Sequence, residues 1–152
     1  MTIYIDADGC PVVDIVVSLA RRYQIECVII CDTSHVFNKD GARTVTVSKG
    51  ADSVDFALVN MLQSGDLVVT QDYGLAAMCL ARRALPISQD GIVFHDGNIE
   101  SLLQARYAAK KIRSAGGRLK GPRKRTPEQN ARFYAKFEDL ILRSGQTKEV
   151  DE

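Results

Sequence analysis

Residues 26–32 read "ECVIICD", five consecutive apolar residues between two acids. A run this short and this rich in β-branched residues suits a strand buried on both faces, and such strands belong to parallel sheets covered by helices on either side. The rest of the chain keeps to that scheme. "TIYID" (2–6), "RTVTVSKG" (43–50), "DLVVTQD" (66–72), "LPIS" (85–88) and "IVF" (92–94) are predicted strands, and amphipathic stretches fill most of the intervals. The alternation predicts one α/β domain, a three-layer α/β/α sandwich around a mainly parallel sheet. Threonines alternating with valines place the 43–50 strand at an edge.

The predicted helices carry their own punctuation. Pro11 suits the first turn of a helix with Val12, Val16, Leu19 and Tyr23 on one face. In "DSVDFALVNMLQSG" Asp52 is a candidate cap, Asp55 stands three residues on as in a capping box, and Gly65 is the stop. "GLAAMCLARRA" and "NIESLLQARYAAKKIR" read as the next two helices, the second with Asn98 as cap. "TPEQ" at 126–129 opens a last helix whose apolar face carries Phe133, Phe137, Leu140 and Ile141. Glycines and cations without periodicity predict a basic loop at about 114–126. Residues 1–145 form the expected domain, and 146–152 a flexible tail.

Composition narrows the class. A chain of 152 residues, 45% hydrophobic and 26% charged, is an ordinary globular domain able to bury a core without staples. No apolar run approaches the roughly 20 residues of a membrane helix. The N-terminus enters "TIYID" without a basic region or cleavage site, so the expected location is cytoplasmic. Cys10, Cys27, Cys31 and Cys79 match neither a disulfide framework nor a paired zinc motif, and read as small hydrophobes. The net charge of +1 hides a division: residues 1–100 carry 13 acids against 7 cations, while residues 101–127 carry nine cations and no acid. An acidic body bearing a basic segment points to a polyanionic partner, or else to a solvated face.

The acids fall at meaningful places. In an open parallel sheet, ligands bind beyond the carboxyl ends of the strands, where strand order reverses. Asp6 closes the first strand, Asp72 the fourth, and Asp52 and Asp55 open the helix after the third. Asp8 follows Asp6 by two residues. Each has an alternative duty: Asp8 and Asp52 as helix caps, Asp55 as a capping-box member. Strand-end Asp6 and Asp72 have no such duty. Carboxylates brought together repel unless a cation neutralises them, and an all-oxygen set favours Mg²⁺ or Mn²⁺. The chemistry served is phosphodiester hydrolysis. Thr70, in "VVTQD", is placed to bond a neighbouring carboxylate or a phosphate. Asp66 starts its strand and belongs to the opposite rim. His35 is a loop histidine or a minor member of the site.

Two families resemble this pattern. "IYIDADGCPV" is similar to the opening of haloacid-dehalogenase-type phosphatases, a likeness that implies Asp6 as nucleophile, Asp8 as general acid and Lys49 as phosphate contact. Cys10 departs from that motif, and Asp66 and Asp72 lie at opposite ends of one strand. The second likeness spans nearly the whole chain. "YIDADGCPV", "GADSVDFALVN", "GDLVVTQDYGLAA", "NIESLLQAR" and "GPRKRTPEQNARF" occur in the order seen in the YaiI/YqxD family of bacterial proteins, of which the chain is identified as a member. That family resembles PIN-like nucleases. The resemblance implies a PIN-like fold, with Asp6 and Asp72 as site acids and Asp52 or Asp55 as the third; Asp6, Asp55 and Asp72 are the metal ligands expected.

The basic segment completes the expectation. Arg106, Lys110, Arg113, Arg118, Arg123, Lys124 and Arg125 are candidate contacts to a phosphate backbone. The expected activity is metal-dependent hydrolysis of nucleic acid, single-stranded RNA by preference because PIN-like enzymes mostly cut RNA. A small-molecule phosphatase using Asp6 and a non-catalytic nucleic-acid-binding module are the alternatives.

Overall fold

A computed structural model describes residues 1–34, 37–50, 52–116 and 124–150, the last five by backbone alone. His35, Arg118, Lys120 and Arg123 therefore lie outside the described residues.

The strands are β1 (Thr2–Asp6), β2 (Glu26–Asp32), β3 (Arg43–Val47), β4 (Leu67–Val69) and β5 (Leu85–Ile87). The helices are α1 (Val13–Arg22), α2 (Ser53–Met61), α3 (Tyr73–Ala81), α4 (Ile99–Ser114) and α5 (Pro127–Val150). All four strand pairings are parallel, in the order β3-β2-β1-β4-β5. β3 is an edge strand, as its half-polar sequence predicts, and the five central residues of β2 are all buried.

Period-2 alternation divides the core. Ile3, Ile5, Cys27, Ile29 and Val69 point to the side covered by α1 and α5, where Phe133 and Phe137 stack with ring centres 5.4 Å apart. Tyr4, Val28, Ile30 and Val68 face the other side, against Leu58 and Leu62 near α2 and Leu75 and Cys79 of α3. Two helical layers around a parallel sheet make the three-layer sandwich.

Several local expectations are corrected. α1 starts at Val13, with Pro11 in the preceding turn, because Cys10 N–H first closes a turn onto the Ala7 carbonyl. "IVF" is no strand; Val93 makes a single antiparallel bridge to Ile87. α5 continues to Val150, through the segment read as a tail. Asn98 does not cap α4 with its side chain; its amide spans the preceding turn instead, accepting from His95 N–H and donating to the Val93 carbonyl. α4 packs against α3 yet has no fully buried residue.

Candidate functional site

The chain leaves β1 toward β2 and β3 on one side, then returns to place β4 and β5 on the other. Strand order thus reverses between β1 and β4, and their carboxyl ends open a crevice of about 470 Å³ lined by Asp6, Asp8, Gln71, Asp72, Tyr73 and Arg106, among others. This is where a parallel sheet offers a ligand site.

Asp6 ends β1 facing Thr70, which is 1% exposed. The Thr70 hydroxyl donates to Asp6 Oδ2 at 2.8 Å and accepts from Asp72 N–H at 3.0 Å, tying the two strand ends together. Asp72 is the N-cap of α3, its Oδ1 accepting from Leu75 N–H at 3.1 Å. Asp55 reaches the same place from the first turn of α2, where its carboxyl is hydrogen-bonded to that of Asp72. Burial, then the charges of Asp72, Asp6 and Asp52, push the Asp55 carboxyl up to about 7. Burial likewise raises Asp6 to about 6; the Thr70 bond pulls the other way, and the charges of Asp72 and Asp8 add to the rise. Three elements therefore bring Asp6, Asp55 and Asp72 into one electrostatic unit.

Asp52 and Asp8 have different places. Asp52 does not cap α2 with its side chain; it sits at φ 63° and is exposed, acting on the group only through its charge on Asp55. A left-handed aspartate is an ordinary way to turn a chain sharply into a helix. Asp8 lines the crevice but does not cap α1; its Oδ2 accepts from Asp32 N–H at 3.3 Å, joining the first turn to the end of β2. Gly9, at φ 72°, makes that turn possible. Asp66 is buried at the other rim, accepting from Thr2 N–H and Gln63 N–H, away from Asp72.

Among the described cations, Arg106 alone lines the crevice. Its Nη2 donates to the Gln71 carbonyl at 2.9 Å, and its guanidinium lies 4.6 Å from the Tyr73 ring centre. Lys110 and Arg113 follow at helical spacing on α4, both exposed. Lys124 is exposed at the end of the basic segment, and Lys49 in the bend after β3, two strands from β1. Arg125 is built into the fold: it donates to Asp90, the Gln89 carbonyl and Asn130.

Gln71 and Tyr73 are crevice residues that sequence reasoning missed, the first lying within the predicted strand "DLVVTQD" and the second just before the predicted helix "GLAAMCLARRA". Gln71 Oε1 accepts from Gln89 N–H, linking β4 to the turn after β5. Cys10 sits close by, but burial first, then Asp6, push its thiol up to about 11, the opposite of an activated nucleophile. Among the described residues, no three His, Cys, Asp or Glu side chains are grouped so that they could hold a metal ion.

The fold and rim define a class: an open parallel α/β sandwich with carboxylates from three βα junctions at its switch point. The match to the family described as "Uncharacterized BCR, YaiI/YqxD family" covers residues 4–143, and the chain belongs to that family. A UPF0178 protein of Exiguobacterium sibiricum is 52% identical over 141 residues, 93% of this chain and 96% of the relative. UPF0178 proteins of Clostridium acetobutylicum and Bacillus cereus are 48% and 38% identical, over 94% of this chain in each case. No solved structure matches the chain. No helix among the described residues is long and apolar enough to cross a membrane.

Proposed function

We propose that this protein hydrolyses phosphodiester bonds in nucleic acid with a divalent cation, Mg²⁺ or Mn²⁺, and that single-stranded RNA is its substrate. The observation that carries this reading is the meeting of Asp6, Asp55 and Asp72, with two of the three carboxyls pushed far above the ordinary carboxylate range. Such a group is costly to a fold that has no use for it. The donors are all oxygens, which suits a hard cation, and a cation there would offset the mutual repulsion that helps to raise Asp6 and Asp55. Polarising a phosphoryl oxygen and activating water are what a divalent cation supplies when bound. The chain's own residues do the rest. Thr70 holds one oxygen of Asp6 and leaves the other to the crevice, Asp72 is fixed by its cap bond, and Arg106 stands at the wall as the phosphate contact. The likeness to PIN-like nucleases supports the same choice, and favours RNA.

The test is Mn²⁺ calorimetry on the wild type and Asp6→Asn/Asp72→Asn, with degradation of single-stranded RNA followed on the same samples. Metal binding and cleavage lost together in the double variant are the expected result. RNA binding that survives the double substitution, without cleavage by the wild type, would instead assign the protein as a binding module.

A further inference from the structure

Gln71 stands between Thr70, which holds Asp6, and Asp72. It lines the crevice together with Asp6, Asp8 and Asp72. A second cavity of about 20 Å³, room for one water molecule, is also bordered by Gln71, Asp6 and Asp8. The glutamine is thus part of the wall on which the acids are set.

Both of its carbonyl oxygens are committed. The backbone oxygen accepts from Arg106 Nη2 at 2.9 Å, and side-chain Oε1 accepts from Gln89 N–H at 3.1 Å. The second bond fixes the sense of the carboxamide, because an amide turned over would set its own donors against the Gln89 N–H. The turn supplying that N–H is itself held. The Gln89 carbonyl accepts from Arg125 Nη2 at 2.7 Å, and Arg125 also donates to Asp90 and Asn130. What is left of Gln71 is Nε2, which has no hydrogen-bond partner among the described residues and is not sealed from solvent.

Ionised carboxylates are acceptors only. A phosphodiester, itself an anion and an acceptor, needs donors from the rest of the wall. Arg106 is one; the Gln71 amide, neutral and anchored by its oxygen, is a second. As phosphoryl transfer proceeds, charge is spread over the non-bridging oxygens, and a donor already fixed in place acts on them without reorganising.

We infer that Gln71 is a catalytic residue of the crevice, its Nε2 donating to a non-bridging oxygen of the phosphodiester under attack. The inference rests on the nuclease reading above. In the hydrolysis it serves, a water oxygen bonds to phosphorus as one ester bond breaks. One hydrogen of that water ends on the new phosphate monoester and the other on the released hydroxyl; the amide gives up no proton. Three consecutive residues then divide the work: Thr70 fixes Asp6, Gln71 meets the phosphate, and Asp72 completes the acidic group.

Two substitutions separate the donor from the anchor. Gln71→Glu keeps an oxygen for the Gln89 N–H and removes the donor, whereas Gln71→Met keeps the length and removes both. The probe is a fluorescein-labelled oligouridylate at saturating concentration with Mn²⁺, and Mn²⁺ affinity is measured on the same samples. Both variants are expected to cut about 100-fold more slowly than the wild type while binding Mn²⁺ no more weakly. A slow Gln71→Met beside a Gln71→Glu of wild-type rate would overturn the inference and leave Gln71 as an anchor for the turn. A slow Gln71→Glu beside a Gln71→Met of wild-type rate would overturn it too, since only the added charge then matters. Wild-type rates in both variants, or Mn²⁺ binding lost with cleavage in both, would equally overturn it and leave the acidic site standing. A wild type that cuts no RNA with Mn²⁺ would overturn the inference and the nuclease reading together.

Discussion

Thr70 joins the two strand-end acids through a single hydroxyl, donating to Asp6 and accepting from Asp72 N–H. Thr70→Val keeps the shape and deletes both bonds in a fully buried place. It is expected to lower stability by about 1–3 kcal/mol, with Thr70→Ser recovering most of the loss, as urea unfolding would measure. The acids themselves work in the opposite sense. The folded-state carboxyls of Asp6 and Asp55 lie at about 6 and about 7, well above their unfolded values near 4. The folded chain therefore binds more protons than the unfolded chain between those limits, and stability must fall as pH rises from about 4 to about 7. In EDTA, the wild type is expected to unfold at lower urea at about pH 8 than at about pH 5. Asp6→Asn removes much of that slope and gains about 1–2 kcal/mol at the higher pH. At this scale the place of Asp6 was legible, because an acid closing a buried strand has few structural uses, whereas Asp72, read as free of any capping duty, is the N-cap of α3. Asp55 was ambiguous, since a capping box and a ligand share the same spacing, and the left-handed Asp52 backbone leaves no mark in residue type.

Elements show where periodicity suffices and where it does not. β2 and the apolar face of α5 were readable from pattern alone, because burial on both sides of a strand and on one stripe of a helix leaves different periods. Phe133 and Phe137 are fully buried and stacked, so Phe133→Ala is expected to cost about 3–5 kcal/mol in thermal or urea unfolding. α4 is the counter-case. Its helical sequence is legible, but Tyr107 and Ile112, which look like core residues, are exposed, because the helix rests on α3 rather than on the sheet. "IVF" failed as a strand for a related reason: its β-branched composition is right, but only one bridge to Ile87 forms. Asp72 belongs to this scale as well, since it starts α3. Asp72→Ala removes the cap and is expected to lower the thermal midpoint by the equivalent of about 1 kcal/mol. Asp72→Asn keeps a capping oxygen and removes a charge that disfavours ionised Asp6 and Asp55, so in EDTA at about pH 8 it should melt no lower than the wild type.

At the scale of the molecule, strand order decides which acids meet, and no local pattern encodes it. The order β3-β2-β1-β4-β5 sets β1 beside β4, so Asp6 and Asp72, 66 residues apart in sequence, become neighbours through Thr70. The sequence could place each acid at a strand or helix end and set Asp66 on the opposite rim; the fold adds that Asp66 is buried there and bonded to Thr2 N–H. That separation supplies a control. A cation bound by the folded chain alone stabilises it by mass action, about 2.7 kcal/mol at a hundredfold excess over its Kd, or several degrees for a domain of this size. Mn²⁺ at about pH 8 is therefore expected to raise the melting temperature of the wild type, and to do so less at about pH 5, where protons on Asp6 and Asp55 compete. Asp6→Asn/Asp72→Asn should lose the shift. Asp66→Asn should melt lower throughout, having weakened its bonds to Thr2 and Gln63, yet keep the full Mn²⁺ shift. A shift lost equally in both variants would mean diffuse binding to an acidic body rather than a site at the switch point.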